Sequence, residues 1–364
     1  MAITKCINPF LMIRVLYIID TLGPGGKERQ LVEILRGLDK NLIKPSVVTF
    51  NPGEFYAGLV RELTETFIEL EKRNKLKPAF LMSSIIEKLK PNIIHTFDAL
   101  SSFYAYLPAK KYRVNVLNNS IQDAGVDKGW EYKFKRFFLK KANLVLANSF
   151  TGLKYYRVKG EVIYNLIDLN RFVPYGESEE FNIIMVANFT PYKDYDTFLK
   201  AARMLVTEGI VGKVFMVGAG VSFEKYKKEI ESYDEVKNRF VLAGMVNNVE
   251  KYLSLCKIGI LCSTPKFKEG ISNSILEYMA AGLVPIATNI GGTPEIIENG
   301  KNGFLIEPRD YESIYIKVKQ LKENNDLRKN IVSEAKKTIL EKFNYSKNLS
   351  KLIEIYLRLS EQKL

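Results

Sequence analysis

Glu269 and Glu277 stand with seven residues between them in Lys268-Glu269-Gly270-Ile271-Ser272-Asn273-Ser274-Ile275-Leu276-Glu277. The first lies in a glycine-bearing loop and the second about two turns into a helix. Ser272 and Asn273 favour an N-cap, and Ile275, Leu276, Met279 and Ala280 give the helix an apolar face. The first backbone N–H groups of a helix lack internal partners, so this start can receive an anion such as a diphosphate. A carboxylate beside a diphosphate is repulsive unless a donor-rich group lies between them. Sugar hydroxyls meet that need, because one carboxylate accepts both donors of a vicinal diol. The arrangement predicts a nucleotide-sugar site. The plainer alternative is two solvated carboxylates that favour the helix macrodipole.

The residues downstream decide between them. Tyr278-Met279-Ala280-Ala281-Gly282-Leu283-Val284-Pro285-Ile286-Ala287-Thr288 reads as a helix, a tight glycine turn and a buried strand. Gly291-Gly292-Thr293-Pro294-Glu295-Ile296-Ile297 and Asn299-Gly300-Lys301-Asn302-Gly303-Phe304-Leu305-Ile306 add a Gly-Gly loop, a short helix, a turn and a strand. This succession closely resembles the donor-binding half of the retaining glycosyltransferases of family 4. The match is close from about 182 to 310 and looser from 12 to 172. The resemblance implies the GT-B fold: two doubly wound Rossmann-like domains facing across a cleft, with a C-terminal helix crossing back to the first. It also implies roles. Glu269 would contact hydroxyls of the transferred sugar and Glu277 the ribose diol. Backbone from Gly270 through Ile271, Ser272 and Asn273 would face sugar and diphosphate, and Gly218 joins the donor-side set.

Three further stretches carry candidate chemistry. Val186-Ala187-Asn188-Phe189-Thr190-Pro191-Tyr192-Lys193 follows a strand, and a cation there stabilises the charge growing on a diphosphate leaving group. Lys193 matches the family pattern; Asn188 stands where the family carries Arg. One of two expected cations is therefore replaced, with Lys266 and Lys268 the substitutes at hand. Asp194-Tyr195-Asp196 imitates a metal-binding Asp-x-Asp, but its place at a helix start is explained better by N-capping. No metal or cofactor is expected.

Asp20-Thr21-Leu22-Gly23-Pro24-Gly25-Gly26-Lys27-Glu28-Arg29-Gln30 follows the first strand, and Gly25-Gly26 lets backbone N–H groups approach a phosphate or sugar. The resemblance places this loop over the donor diphosphate. On the acceptor side stand His95, the single histidine, and Asn118-Asn119, where many relatives have a histidine. A lone histidine is as readily structural as functional. Without a general base, retaining transfer needs the leaving phosphate oxygen to accept the acceptor proton on the same sugar face.

These residues need scaffolds. In the first half, strands are predicted at Ile13–Ile19, Lys44–Phe50, Thr66–Leu70, Asn92–Thr96, Arg113–Leu117, Leu144–Ala147 and Glu161–Tyr164. In the second they fall at Asn182–Ala187, Lys213–Val217, Arg239–Leu242, Ile258–Leu261, Val284–Ala287 and Gly303–Ile306. Short apolar strands alternating with amphipathic helices imply α/β domains with parallel sheets covered on both faces. Val173–Glu180 is the expected linker. The domains are drawn at 1–174 for the acceptor and 175–344 for the nucleotide sugar, with the tail at 345–364 packing back.

The 364 residues suffice for two cores, and the 46% hydrophobic and 26% charged content is that of a folded protein. Cys6, Cys256 and Cys262 form no disulfide or metal spacing. No apolar run approaches a membrane span, and Met1–Met12 makes a poor signal peptide, so the expected place is the cytoplasm. The net charge of +13 invites an anionic partner. Nine basic residues against three acidic fall in 110–141, with no nucleic-acid module among them. Peripheral contact with anionic membrane is therefore expected, and no nucleic acid. The basic helix over 129–141 puts Trp130, Phe134, Phe137 and Phe138 on one face, for core packing more readily than for insertion.

The sequence thus predicts transfer of a sugar from a nucleoside diphosphate sugar, UDP-linked in preference to GDP-linked, to a glycan or lipid-linked acceptor. The expected setting is cell-surface polysaccharide or lipopolysaccharide synthesis. Its rivals are a nucleotide-sugar epimerase or hydrolase on the same fold, and a catalytically silent nucleotide-sugar-binding subunit.

Overall fold

A computed structural model describes residues 12–71, 77–125, 129–172 and 179–362. Most of the expected linker, and Cys6, lie outside them. The chain forms two compact units: Met1–Gln122, Lys128–Leu166 and Tyr345–Leu364 make one, Asp123–Asp127 and Ile167–Asn344 the other.

In chain order the first half contains β1 (Ile13–Ile19), α1 (Gly26–Gly37), β2 (Ile43–Thr49), α2 (Ala57–Leu63), β3 (Thr66–Glu69), α3 (Lys77–Leu89) and β4 (Ile93–Thr96). There follow α4 (Ala99–Tyr112), β5 (Asn115–Ile121), β6 (Asp123–Gly125), α5 (Trp130–Leu139), β7 (Leu144–Ala147), α6 (Phe150–Tyr156) and β8 (Glu161–Val162). The second half begins with β9 (Ile183–Val186), α7 (Tyr195–Thr207), β10 (Val214–Val217), α8 (Phe223–Glu231), β11 (Phe240–Gly244), α9 (Glu250–Leu253), β12 (Ile258–Leu261) and β13 (Lys268–Glu269). It ends with α10 (Asn273–Ala280), β14 (Val284–Thr288), α11 (Thr293–Ile296), β15 (Phe304–Ile306), α12 (Tyr311–Glu323), α13 (Asn325–Lys342) and the tail helix α14 (Tyr345–Glu361).

The first unit is a parallel sheet in the order β3-β2-β1-β4-β5-β7-β8. Period-two alternation divides β1 between two layers. Val15, Tyr17 and Ile19 pack with Leu31 and Leu35 of α1 and with Leu352, Ile355 and Tyr356 of α14. Leu16 and Ile18 pack with Met82 and Ile86 of α3 and Tyr104 of α4. The tail helix therefore belongs to this unit. The strand order reverses between β1 and β4, which marks their carboxyl ends as the switch-point crevice where doubly wound sheets take ligands.

The second unit is a parallel sheet in the order β11-β10-β9-β12-β14-β15. Its strands are largely buried, as near-continuous apolar runs require, except the edge strand β11, where only Phe240 is buried. One antiparallel pair stands apart: β6 with β13. Neither strand was predicted.

Two boundaries differ from expectation. Arg113 is no strand residue; it ends α4 in the left-handed region at φ 52°, its N–H capping Ala109 and Lys110 carbonyls. Asn118 and Asn119 do not follow β5 but lie within it. The strand continues because the polar side chains are satisfied locally: Asn118 donates to Ser102 Oγ at 3.0 Å, and its Oδ1 accepts the Ser120 N–H at 3.0 Å.

Candidate active site

In the second unit, the loop leaving β9 is zipped onto the end of β12. Lys193 bridges Ser263, the Asp194 N–H donates to the Cys262 carbonyl at 3.0 Å, and Thr264 N–H to the Tyr192 carbonyl at 2.9 Å. Asp194 then caps α7, accepting the Thr197 N–H at 3.1 Å and its hydroxyl at 2.8 Å. Asp196 pairs with Lys225 at 2.9 Å. Asp194 therefore has the capping position read from the sequence, and Asp196 lies in the first turn.

This zipper sets Lys193 against Glu269, Nζ to Oε2 at 2.7 Å. The Glu269–Gly270 backbone is backed by two glycines. Gly292 N–H donates to the Glu269 carbonyl at 2.9 Å, and a Cβ on Gly291 would come within 2.2 Å of that same oxygen. Only glycine fits there, the more so because Gly291 has φ 60°.

From Gly270 the chain enters α10. Ser272 holds the N-cap position but makes no side-chain capping bond. No hydroxyl of its own therefore covers the helix start, which suits an anion. Ile271 and Ser272 are buried there, and Glu277 is 3% exposed. α10 packs on β12, β14 and α13. Tyr278 locks it: the phenol accepts the Val186 N–H at 2.7 Å and donates to the Ile260 carbonyl at 3.2 Å. Ser274 Oγ adds a bond to the Val186 carbonyl at 2.7 Å. The same helix that offers its N-terminus is thus tied to the end of β9, where Asn188 is exposed. Gly218, at the end of β10, lies so close to this turn that a Cβ would stand 2.0 Å from the Ala187 carbonyl. Lys266 and Lys268 are exposed.

Glu269, Lys193, the helix start, Glu277, Gly218 and Asn188 thus belong to one unit. Gly25 and Gly26 belong to the other, where Gly25 is the N-cap of α1 and extended. Sequence reasoning missed the charged cluster beside them. Lys27 pairs with Asp20, with Glu28 at 3.7 Å and with Asp98 at 4.0 Å. Burial pushes the Glu28 carboxyl up to about 7, against the pull of Lys27. Burial, then Asp20, raises Asp98 also. Burial pulls the Lys27 ammonium down, but Asp98, Asp20 and Glu28 together raise it. The signal was available in the spacing of charges at the ends of β1 and β4, once those strands are neighbours.

His95 is not on an acceptor-facing surface. It is wholly buried under α14, its Nδ1 2.7 Å from Tyr356 Oη, which is bonded to Tyr17 Oη at 3.1 Å. Its Nε2 has no partner, and burial alone lowers its pKa to about 3. It is a neutral core histidine. Asn118 is buried too, while Asn119 is half-buried and receives the Gln122 amide at 3.2 Å. On α5, Phe138 is buried, but Trp130 is 72% and Phe137 49% exposed, so core packing accounts for only part of the aromatic face.

Two family models match the chain: "Glycosyl transferases group 1" over residues 168–338 and "Glycosyltransferase Family 4" over 24–171. N-acetyl-alpha-D-glucosaminyl L-malate synthase of Bacillus anthracis is 28% identical over 54% of this chain and 53% of its own length. The UDP-Gal:alpha-D-GlcNAc-diphosphoundecaprenol alpha-1,3-galactosyltransferase of Escherichia coli is 28% identical over 55% and 54%. The chain thus spans about half the length of the curated relatives it matches. Among solved structures, Anabaena HepE in complex with UDP superimposes with a TM-score of 0.83 at 18% identity, covering 95% of this chain and 100% of that one.

Proposed function

We propose, given that this chain belongs to glycosyltransferase family 4 and has its GT-B fold, that it transfers a sugar with retention from a nucleoside diphosphate sugar to a glycan or lipid-linked acceptor. The observation that carries this is the Lys193–Glu269 pair at 2.7 Å, immediately before the uncapped start of α10. The N–H groups of that helix start bind the diphosphate, and Glu277 takes the ribose hydroxyls. Glu269 accepts hydroxyls of the transferred sugar. Lys193 then exchanges its carboxylate partner for the leaving phosphate, whose negative charge grows as the glycosidic bond breaks. The acceptor hydroxyl attacks from the face the diphosphate leaves, giving up its proton to a departing phosphate oxygen. His95, buried and neutral, takes no part. Charge neutralisation falls to Lys193 and the helix start, with no metal.

UDP-linked donors are the first choice. The Escherichia coli relative uses UDP-Gal by its name, and HepE has been solved with UDP-glucose as well as with UDP. The names of the relatives also favour a small-molecule, glycan or lipid-diphosphate acceptor, in synthesis of cell-surface polysaccharide or lipopolysaccharide. A bilayer-borne acceptor fits the exposed aromatic and lysine residues of α4 and α5, with the protein at the cytoplasmic face. The reading of a silent nucleotide-sugar-binding subunit survives on one observation, Asn188 in the place of a cation.

The test is mass spectrometry of UDP- and GDP-sugars incubated with the protein, with and without glycan and polyprenyl-diphosphate acceptors, and NMR of the product anomer. Acceptor-dependent transfer with the donor's α or β configuration kept supports the proposal. Inversion sinks the mechanism. Donor turnover indifferent to every acceptor favours the epimerase or hydrolase, and binding without turnover the silent subunit.

A further inference from the structure

β6 occupies a place that its neighbours in sequence do not. Gln122 before it and the segment resuming at Lys128 belong to the first unit, whereas Asp123–Gly125 belong to the second. There they form an antiparallel pair with β13, with Gly125 opposite Lys268, Asp123 opposite Glu269 and a register shift between them that skips Ala124. Asp123 and Ala124 are buried, at 7% and 3% exposure. Gly125 lies against the Lys268 side chain, since a Cβ there would meet Lys268 Cδ at 3.1 Å.

The backbone that carries Glu269 is therefore held twice. Gly291 and Gly292 back it, with the Gly292 N–H on the Glu269 carbonyl. β6 supplies the second hold. Without it, Lys268–Glu269 would be a loop backed from one side, by Gly291 and Gly292, and side-chain placement on such loops is loose. A strand pair restricts the backbone on which the carboxylate rides, and so keeps Glu269 within reach of Lys193.

The geometry points to β6 as a positioning element for Glu269: the Asp123–Ala124–Gly125 backbone fixes the carboxylate for the sugar-transfer step without touching the nucleotide. The inference rests on the proposed function for what Glu269 does, but not for the clamp itself. Nucleotide binding has separate anchors. α10 is tied to β9 and β12 through Tyr278 and Ser274, and neither bond passes through β6.

Asp123→Pro is the probe, because Asp123 stands opposite Glu269 whereas Ala124 is skipped by the register shift, and proline removes the backbone N–H of a paired position. Turnover should fall about tenfold or more, the scale of cost for a displaced catalytic group. The dissociation constants of UDP and GDP by calorimetry should stay within about twofold, and Asp123→Asn, which keeps the N–H and the size of the side chain, should recover most of the turnover. Hydrogen exchange of the peptide covering Lys268–Glu269 should speed by about tenfold or more in the proline variant, while peptides of β9 and α10 keep their protection. Unchanged exchange at Lys268–Glu269 overturns the clamp. Nucleotide affinity falling as far as turnover, or exchange rising through the whole unit, overturns the positioning role in favour of a general structural one. If the wild-type protein transfers no sugar, the proposed function fails, and the exchange comparison still decides whether β6 holds the Glu269 backbone.

Discussion

Lys193 and Glu269 neutralise one another at 2.7 Å, with the lysine side chain 11% and the carboxylate 31% exposed. A diphosphate must compete with that carboxylate for the ammonium. Glu269→Gln removes the competitor and also one negative charge from the anion site. Nucleoside diphosphate should then bind about threefold to tenfold more tightly, as expected for a partly exposed pair worth about 1 kcal/mol. Turnover should fall, because the sugar loses its charged acceptor. Lys193→Ala should cut turnover far more than it weakens donor binding, since the charge on the leaving phosphate peaks in the transition state. Calorimetry with UDP and steady-state rates check both; weaker product binding in Glu269→Gln would show that the carboxylate orders the site rather than competing in it.

Asn188 lies at the carboxyl end of β9 and is exposed. An arginine there would meet no packing cost and could reach the leaving phosphates. Asn188→Arg should raise turnover, by an amount up to a few kcal/mol of barrier if the side chain is held in place. If Lys266 or Lys268 already serves, Asn188→Arg will change nothing, and Lys266→Ala or Lys268→Ala will slow transfer instead. Rates of the three variants separate these outcomes.

Tyr278 holds α10 through two hydrogen bonds, from Val186 N and to Ile260 O. Tyr278→Phe strands the Val186 N–H and should cost about 1–3 kcal/mol in urea unfolding. Gly259→Ala should be at least as damaging, because its Cβ would fall 2.2 Å from the Tyr278 ring. A shift below about 0.5 kcal/mol in both would mean that α10 is held mainly by its apolar packing.

The parallel strands were legible because each is a short apolar run with a turn on either side, and burial on both faces leaves no other use for such runs. The stretch from Glu269 to Gly292 was legible because its carboxylates and glycines lie close in sequence, whereas the approach of Lys193 to Glu269 depends on the pairing of its loop with the end of β12. β6 and β13 were not. Two or three residues including Asp, Gly, Lys and Glu have no strand signature, and their pairing is set by the fold. His95 was ambiguous for a related reason. Its partner Tyr356 is 261 residues away, and only the packing of α14 on β1 and β4 reveals that the imidazole is sealed in the core.

Glu28 gives the fold a pH dependence of definite sign. Its folded pKa, about 7, lies above the ordinary 4.5, so the folded form binds more protons between those values. The stability it contributes is whole below about pH 4.5 and is lost as pH rises through about 7. Asp98, also raised, acts in the same direction. Glu28→Gln, which cannot ionise, should shrink the fall in unfolding free energy between pH 5 and pH 8 by an amount on the order of 1–3 kcal/mol. The same slope in variant and wild type would mean that Lys27 keeps Glu28 charged throughout.

The exposed face of α4 and α5 carries the membrane expectation. Leu107 is 70%, Trp130 72%, Phe137 49% and Phe103 42% exposed. Phe103 and Trp130 both rest on Phe134, at 5.9 and 6.0 Å between centroids, so they form one patch. Lys110 and Lys111 on α4, and Lys133, Lys140 and Lys141 on α5 and just after it, are exposed, with Lys141 over the Phe137 ring at 5.7 Å. Among the described residues no helix is long and apolar enough to cross a bilayer, so contact through this patch would be superficial. Each lysine near anionic lipid contributes about 1 kcal/mol, and salt screens it. Flotation with phosphatidylserine-containing vesicles should therefore be strong at low salt and lost in high salt. Trp130→Ala with Phe137→Ala should weaken it by about tenfold, since two aromatic rings would no longer leave water. Equal binding to neutral vesicles would assign the contact to apolar insertion alone. No binding to either would leave the aromatic patch and its lysines without a lipid role.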